Sequence, residues 1–317
     1  PEASCRMALA EAITNISGVK HDALNKISFS ANWMSSTKTA DEKGDLVRGV
    51  QALANMADSL NVSVPVGKDS LSMKVNWKEG QSEHTVTSPM TLNISSFSNV
   101  NDLNKSVTPE LSDSDTTLLH LWAHSDKYRL GGSALYQSFK LYGGATPDID
   151  DANQFKVLFE ATQELLDKDF IEALHDISDG GLITSLIEMA LCSNQGLDIN
   201  LDYSDKEQLV PKLFSEEIGL VIEVKNEKLE SVRNYLNEKE LFFENIAKKN
   251  DKKKININCF KEEVFSEDLN TLFNQWSKVS HEIQKIRDSE DAALAEKEAY
   301  ENFDKFFESK SVSYTHL

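Results

Sequence analysis

Hydrophobic residues in the first hundred positions recur at spacings typical of helices and of strands. Segments 8–16 and 45–60 place apolar residues every three to four positions, which predicts two helices. Apolar runs at 26–33 and 90–97 predict strands, and the β-branched run 62–66 predicts a buried strand. Together these segments predict one lobe in which helices pack on a sheet.

A polar stretch at 98–116, rich in Asn, Asp, Ser and Thr, follows this lobe. It offers little that could pack into a core, so we predict a domain boundary there. Beyond it, helices are predicted over 133–142, 153–167, 182–192 and 229–236, and strands over 118–122, 219–224, 241–246 and 255–259. This interleaving predicts an α/β or α+β fold with mixed sheets covered by helices.

We therefore divide the chain into four parts. Residues 1–105 form a first lobe, 106–262 a second α/β lobe, and 263–310 a charged helical extension. Residues 311–317 break the charge pattern and are expected to be a foreign tail. Pro1 has no Met before it and runs directly into a helix pattern, so we expect a missing upstream segment and an incomplete first lobe.

Charge and cysteine content narrow the possible functions. The chain has 33 Lys and Arg against 52 Asp and Glu, a formal charge of -19, so we expect no nucleic-acid partner. Cys5, Cys192 and Cys259 lie far apart without a His-rich segment, which indicates neither disulfides nor a zinc site. No apolar run reaches the ~18 residues that span a bilayer, so we expect no membrane partner and a cytoplasmic location.

The sequence HDISDGG at 175–181 is the sharpest local pattern, because it directly precedes a predicted helix. Gly180 and Gly181 would let the backbone approach a bound group, and free N–H groups at a helix start suit phosphate oxygens. A carboxylate there could hold the magnesium that accompanies phosphate. The alternative is structural: Ser178 or Asp179 caps the helix, and the glycines make the turn.

Glu11 and Asn15 are four positions apart in a predicted helix, so their side chains project from one face. Both carry oxygen atoms, the ligand type that magnesium prefers. One Glu, one Asn and one distant Asp would be the protein ligands of the magnesium ion. Water and substrate phosphate would complete its coordination shell. The alternative is a pair of solvated side chains on an exposed helix flank.

A third polar segment reads VGKDS and lies between two strand patterns. Gly67 ends a strand pattern, and Lys68, Asp69 and Ser70 would follow it in a phosphate- or metal-binding turn. The segment lacks the second glycine and the following helix of a Walker A loop. The alternative is an ordinary tight connection, and the glycine pair at 131–132, which opens a predicted helix, leaves a similar choice.

Seven short motifs resemble, in order and spacing, the formylglycinamide ribonucleotide amidotransferases (phosphoribosylformylglycinamidine synthases) in their large single-chain form. They are AEAITNI at 10–16, SANWM at 30–34, PVGKDSLSMK at 65–74, TSP at 87–89, LGGSAL at 130–135, HDISDGGL at 175–182 and FSEEIG at 214–219. Each motif alone is weak, but their succession covers nearly the whole chain up to about residue 290 and is specific.

This resemblance implies a fold like that of aminoimidazole ribonucleotide synthetase, with two lobes of mixed sheets and helices. The chain would be a fragment of the second half of a duplicated synthetase region, and its first lobe would share a sheet with a partner half. The first synthetase half and the glutaminase domain would be the partners in the full enzyme. The fragment alone would make no product.

The resemblance also implies site residues. Glu11, Asn15 and Asp176 match magnesium ligands of the family, and Ser178 matches a nucleotide contact. This set resembles the family's auxiliary nucleotide site, where a tightly held ADP has a structural role. The implied cofactors are therefore Mg²⁺ and ATP or ADP.

Gly67 and Ser70 lie in a segment that corresponds to nucleotide and substrate contacts in the smaller form of the enzyme. That form has Asn at the position of Lys68, so the roles of Lys68 and Asp69 stay open. Residues 179–181 are further candidates, because they adjoin the matched ligand and nucleotide positions.

The implied activity is the ATP-dependent conversion of formylglycinamide ribonucleotide to formylglycinamidine ribonucleotide in purine biosynthesis, with glutamine as the amido donor. Two alternatives are a structural nucleotide-binding module without catalysis and a related small-molecule kinase. Retention of nucleotide through purification would favour the module, whereas nucleotide exchange and turnover would favour the enzyme.

Overall fold

The computed structural model describes residues 1–123, 127–201 and 206–301 of the chain. Within these ranges the chain forms two lobes of strands and helices, followed by two further helices. The predicted mixed α/β fold, with sheets covered by helices, is confirmed. The predicted foreign tail at 311–317 lies outside the described residues, as does 302–310 of the predicted extension.

The first lobe packs two helices on a three-stranded sheet. Its elements are α1 (Glu2–Thr14), β1 (Ser28–Met34), α2 (Ala40–Leu60), β2 (Ser63–Ser70), the hairpin strands β3 (Lys74–Glu79) and β4 (Ser82–Thr87), and β5 (Thr91–Phe97). In the strand order β2-β1-β5, β1 is parallel to β2 and antiparallel to β5. Leu9, Ile13, Phe29 and Leu53 are buried in the core that α1, α2 and β1 share.

β2 is not the buried strand that its apolar run predicts. Val64 is half-buried, but Val66 is 62% exposed, and most residues of the strand are exposed. The reason is its place at the edge of a sheet that the helices cover on one face. The segment that begins at Gly67, predicted as a polar turn, also belongs to β2 and pairs with β1 from Ala31 onward.

The second lobe is built on a seven-stranded sheet. Its strands are β6 (Thr116–Trp122), β7 (Ala173–Asp176), β8 (Gly196–Leu201), β9 (Gly219–Lys225), β10 (Phe242–Asn250), β11 (Lys254–Cys259) and β12 (Glu262–Asp268). Its helices are α3 (Ala134–Ser138), α4 (Ala152–Asp167), α5 (Gly181–Ser193), α6 (Leu209–Phe214) and α7 (Leu229–Glu238). The strand order is β12-β11-β8-β10-β6-β9-β7, and β8 pairs in parallel with β11 in an otherwise antiparallel described sheet.

Helices cover both faces of this sheet. Every residue of β6 is buried. Because side chains alternate across a strand, Leu118 packs into the core beneath α5, while Leu119 and Leu121 pack toward α4 and α7. β7 and β9 are antiparallel neighbours in which Asp176 pairs with Leu220. This pairing brings the end of β7 beside the chain that leads into β9.

Two predicted helical segments are corrected by the structure. The extension predicted over 263–310 starts with β12, which pairs antiparallel with β11, and only then continues as α8 (Leu269–Arg287) and α9 (Glu290–Glu301). The helix predicted over 133–142 ends with α3, because Lys140 adopts a left-handed conformation with φ of 55°. Among the described residues, no helix combines the length and hydrophobicity needed to cross a membrane.

Candidate functional site

The segment between β7 and α5 forms a glycine turn at the start of a helix. Gly180 and Gly181 have φ of 88° and 77°, a region that L side chains rarely adopt. A Cβ atom on Gly181 would lie 2.7 Å from the carbonyl carbon of Phe214 and from the carbonyl oxygen of Ser215, so only glycine fits. Within the described chain, no side chain caps α5, so the alternative interpretation of Ser178 or Asp179 as its cap is wrong.

This turn opens into a cleft of about 300 Å³ between α1 and the second lobe. Glu11 of α1 lines the cleft together with Ser178 and Asp179, and the glycine pair at 131–132 lines it as well. Residues predicted from widely separated motifs therefore meet in one place. The remaining lining residues are Pro1, Ala3, Ser4, Met7, Thr146, Pro147, Ile177, Glu216 and Ile218.

Carboxylates are concentrated at this cleft. Burial raises the pKa of the Glu11 carboxyl above its usual range, and neighbouring negative charges raise it further; these belong to Asp179, Asp176 and Glu216. The Thr14 hydroxyl lies 3.4 Å from Asp176 Oδ2 and 3.1 Å from the carbonyl oxygen of Glu11, which joins α1 to the end of β7. A cation would relieve the repulsion among these carboxylates.

The predicted magnesium ligands can be placed individually. Glu11 and Asp176 are close enough to interact electrostatically, and Asn15 ends α1, where its side-chain amide donates a 2.9 Å hydrogen bond to the carbonyl oxygen of Glu11. In the described part of the chain, no group of three or more His, Cys, Asp or Glu residues is arranged to hold a metal. The predicted set contains two carboxylates and one amide, a hard-oxygen donor set that suits Mg²⁺.

A second glycine turn faces the first across the cleft. The N–H of Gly131 donates to the carbonyl oxygen of Ala145 at 2.8 Å, and a Cβ atom on Gly131 would lie 2.7 Å from that oxygen. Gly132 follows with φ of 81°. The Ser133 hydroxyl then caps α3 by accepting a hydrogen bond from the N–H of Tyr136 at 3.3 Å. Close backbone approach therefore shapes both turns.

Glu216 connects the two turns, although no local sequence pattern predicted it as a site residue. Its Oε1 atom accepts hydrogen bonds from the N–H of Gly180 and from the N–H of Ala134, both at 2.8 Å. The only sequence signal for this residue is its membership in the FSEEIG motif. Its neighbour Glu217, 5% exposed, accepts a 2.5 Å hydrogen bond from Nε of Arg129, just before the second turn.

His175 connects the end of β7 to α5 and, through Glu188, to α8. Its Nδ1 lies 2.7 Å from the carbonyl oxygen of Asp176, and its Nε2 lies 3.1 Å from Oε2 of Glu188 on α5. Burial lowers the pKa of His175, but its hydrogen bonds to these two acidic residues outweigh burial and raise the pKa to about 9. Glu188 also accepts a 2.9 Å hydrogen bond from Nε1 of Trp276 on α8.

The predicted VGKDS segment lies elsewhere. Gly67, Lys68, Asp69 and Ser70 are part of β2 and do not line the cleft. Nζ of Lys68 donates a 2.7 Å hydrogen bond to the Ser70 hydroxyl within the same exposed strand. The structure therefore does not bring this segment together with Glu11 or Ser178 in the cleft that they line.

Two family models match the chain in succession. Residues 1–99 match the model described as the FGAR-AT PurM_N-like domain. Residues 123–259 match the model described as the AIR synthase related protein, C-terminal domain. Glu11 lies in the first matched domain, and the glycine turns and Glu216 lie in the second, so the cleft lies between the two.

Solved structures with a similar fold include two complexes of Thermotoga maritima PurL. The complex with FGAR has 14% sequence identity and a TM-score of 0.61, and the match covers 85% of this chain and 43% of that one. The complex with ATP has 16% identity and a TM-score of 0.59, covering 84% and 40%. This chain therefore spans about two fifths of the length of those proteins.

The hydrogenase maturation protein HypE also has a similar fold. The structure of the HypE–HypF complex matches at 15% identity with a TM-score of 0.56, and the match covers 83% of both chains. At such identities these likenesses show the fold, which is that of proteins related to AIR synthase.

Proposed function

We propose that this chain, which matches models of the FGAR-AT PurM_N-like domain and of the AIR synthase related C-terminal domain, is part of an ATP- and glutamine-dependent amidoligase. The reaction converts formylglycinamide ribonucleotide to formylglycinamidine ribonucleotide in purine biosynthesis, with release of ADP, phosphate and glutamate. The observation that carries this proposal is the match of residues 1–99 to a domain model described for FGAR-AT itself. The seven motifs of the sequence point the same way.

In this proposal the cleft holds a nucleotide with Mg²⁺. Glu11, Asn15 and Asp176 would hold the ion, and Ser178 would contact the nucleotide. The concentration of carboxylates supports a cation here, because phosphate alone would be repelled by Glu11 and its acidic neighbours. Bound magnesium neutralises phosphate charge, which is its usual contribution in phosphoryl transfer.

We further propose that this is an auxiliary site with a structural ADP rather than the reaction centre. The support is the resemblance of the set Glu11, Asn15 and Asp176 to the family's auxiliary site. A structural nucleotide-binding module and a small-molecule kinase would share the same cleft geometry. The model matched by residues 1–99 favours the amidoligase over both, because its description names that enzyme's own domain.

Additional protein parts complete the proposed enzyme. A first synthetase half would cover the exposed face of β2 and β5, and a glutaminase domain would supply ammonia from glutamine. Two observations support this: the chain spans about two fifths of the similar PurL chains, and Val66 and Phe97 on those strands are 62% and 60% exposed. Exposed apolar residues on the two strands that flank β1 are typical of an interaction face.

The test uses the full-length protein, purified without added nucleotide. Bound ADP and magnesium are quantified for the wild type, for Glu11→Gln with Asp176→Asn, and for Glu227→Gln, an exposed glutamate outside the cleft lining. Glutamine-dependent amidation of formylglycinamide ribonucleotide is assayed in parallel. The expected result is loss of ADP and magnesium in the double variant only, with turnover retained by the molecules that stay folded.

Three outcomes would contradict parts of this proposal. Unchanged ADP and magnesium in the double variant would show that these residues do not form the site. Retained nucleotide with abolished turnover would place Glu11 and Asp176 in the reaction centre. A wild-type protein that does not amidate formylglycinamide ribonucleotide would refute the proposed activity.

A further inference from the structure

We infer that Glu216 is a positioning residue that clamps the two glycine turns of the cleft together through a single carboxylate oxygen. This inference deepens the proposed function and rests on it for its ligand, a magnesium nucleotide. The geometry itself does not depend on that ligand. Oε1 of Glu216 accepts from the N–H of Gly180 on one side and from the N–H of Ala134 on the other, both at 2.8 Å.

Both hydrogen bonds are of a strong type. A carboxylate that accepts from a backbone N–H forms a charge-assisted bond, about twice as strong as one between neutral groups. Gly180 is also the residue that precedes the first turn of the thirteen-residue helix α5. The negative charge of Glu216 therefore lies at the positive end of the α5 dipole, which adds to the attraction.

The residues on either side hold Glu216 in place. The Ser215 hydroxyl donates to the carbonyl oxygen of Arg129 at 2.9 Å, and Glu217 accepts from the Arg129 guanidinium at 2.5 Å. Ser215 and Glu217 are both 5% exposed. These two contacts with Arg129 anchor the backbone on both sides of Glu216 and allow its own side chain to reach the cleft.

The backbone of the same segment also supports α5 directly. A Cβ atom on Gly181 would lie 2.7 Å from the carbonyl oxygen of Ser215 and 2.8 Å from that of Leu213. Segments 129–134, 178–181 and 213–217 thus form one unit around the cleft. Within it, Glu216 is the residue whose side chain contacts both turns.

This arrangement has a consequence for ligand binding. Because Gly180 already donates to Glu216, its N–H is not available to a phosphate oxygen while the clamp is closed. The clamp instead sets the distance between Ser178 on one turn and Gly132 on the other, both of which line the cleft. Loss of the clamp is expected to let the turns separate and to weaken binding of a ligand that touches both.

The experiment compares Glu216→Ala, Glu216→Gln and Glu227→Ala in the full-length protein. Glutamine keeps a side-chain oxygen at the same position and should partly rescue the clamp, whereas alanine removes the oxygen. Amide hydrogen exchange is measured for peptides covering 130–138 and 177–184. We expect faster exchange in both peptides for Glu216→Ala, a clearly smaller increase for Glu216→Gln, which keeps the acceptor oxygen but loses the charge, and wild-type exchange for the exposed control Glu227→Ala.

Affinity for Mg·ADP is then measured by calorimetry on nucleotide-free protein. We expect Glu216→Ala to weaken Mg·ADP binding about tenfold, which corresponds to a loss of about 1.4 kcal/mol of binding free energy. Glu216→Gln should change the affinity less than threefold. Unchanged exchange in either peptide for Glu216→Ala, or failure of glutamine to rescue, would overturn the clamp. Absence of Mg·ADP binding in the wild type would instead refute the proposed function, because the exchange result tests the clamp without ligand.

Discussion

The sheets of the two lobes differ in how completely they are covered. The seven-stranded sheet has helices on both faces, and all seven residues of its strand β6 are buried. The three-stranded sheet has α1 and α2 on one face, and its strand β2 is mostly exposed. β6 is rich in apolar and strand-favouring residues, whereas β2 also contains Pro65, Gly67 and Asp69, which strands disfavour. Composition and covering layers together therefore decide whether a strand is buried.

The polar interactions of the two lobes also differ in how deeply they are buried. In the second lobe, charged groups are buried and paired, as for Lys212, which is 2% exposed. In the first lobe, the hairpin pair Lys78 and Glu83 is highly exposed, with 72% and 75% of the side chains accessible. Substitutions of the same chemistry should therefore have large effects in the second lobe and small effects in the first.

The largest effect is expected from Lys212→Ala. Lys212 forms an ion pair with Glu244, lies 3.2 Å from the Tyr128 hydroxyl and stacks 4.4 Å above the Trp122 ring. Removing one partner of a buried pair costs about 3–5 kcal/mol, because the other charge stays desolvated. Urea unfolding measures the free energy of unfolding of the wild type and the variant. Lys78→Ala is the matched control and should lower the free energy of unfolding by less than about 1 kcal/mol. Equal losses of stability for the two variants would contradict the difference between the lobes.

The same buried pair predicts a dependence of stability on pH. Burial alone would raise the pKa of Glu244, but the hydrogen bond with His120 and the charge of Lys212 outweigh it and bring the pKa to about 2. Because the folded pKa lies below the ordinary value of 4.5, the carboxylate stabilises the fold above that pH. This contribution is lost as the pH falls from 4.5 towards 2.

The measurement is the free energy of unfolding of wild type and Glu244→Gln at about pH 6 and about pH 3. The wild type should be more stable than the variant at the higher pH. The difference between their free energies of unfolding should be smaller at the lower pH. A gap that does not change with pH would show that Glu244 is not ionised in this pair.

The third effect in size concerns the left-handed glycines. Gly181→Ala should destabilise the second lobe by about 1–3 kcal/mol through backbone strain, and more through its clash with Ser215. Gly80 in the β3–β4 turn also has positive φ, 63°, but open space around it. Gly80→Ala should therefore show the strain cost without the clash. Thermal unfolding compares the stability of the two variants. A larger loss of stability for Gly80→Ala than for Gly181→Ala would contradict the structure.

Much of the fold follows from apolar periodicity, and the exceptions have physical causes. α4 and α5 match their predicted ranges closely because each has a strong apolar pattern. α2 starts at Ala40, five residues before the predicted start, because Thr39 and Glu42 form a capping box that apolar spacing does not register. The four-residue strand β7 has no periodicity long enough to detect.

Part of the cleft lining could be predicted from local motifs. Glu11 and Ser178 come from separate motifs, and both line the cleft. Glu216 could not be assigned from local pattern, because its partners Gly180 and Ala134 lie 36 and 82 positions away. The exposure of β2 could not be predicted either, since an apolar run does not reveal how many layers cover it.

The smallest effect is expected at the exposed sheet. Val66→Thr keeps the branched shape and exchanges a methyl group for a hydroxyl on a residue that is 62% exposed. Surface substitutions of this kind change stability by at most about 0.5 kcal/mol. The matched variant is Val221→Thr in β9, where the residue is fully buried and a hydroxyl without a partner costs about 1–3 kcal/mol.

Urea unfolding of this 317-residue chain, alone and within the larger enzyme proposed above, tests whether another part of that enzyme covers β2. If Val66→Thr is neutral in the chain alone but destabilises the larger enzyme, another part of that enzyme covers β2. If it is neutral in both, the face is exposed to solvent and the proposed shared sheet is wrong. A cost equal to that of Val221→Thr in the chain itself would mean that β2 is already covered, and the contrast between the two sheets would fail.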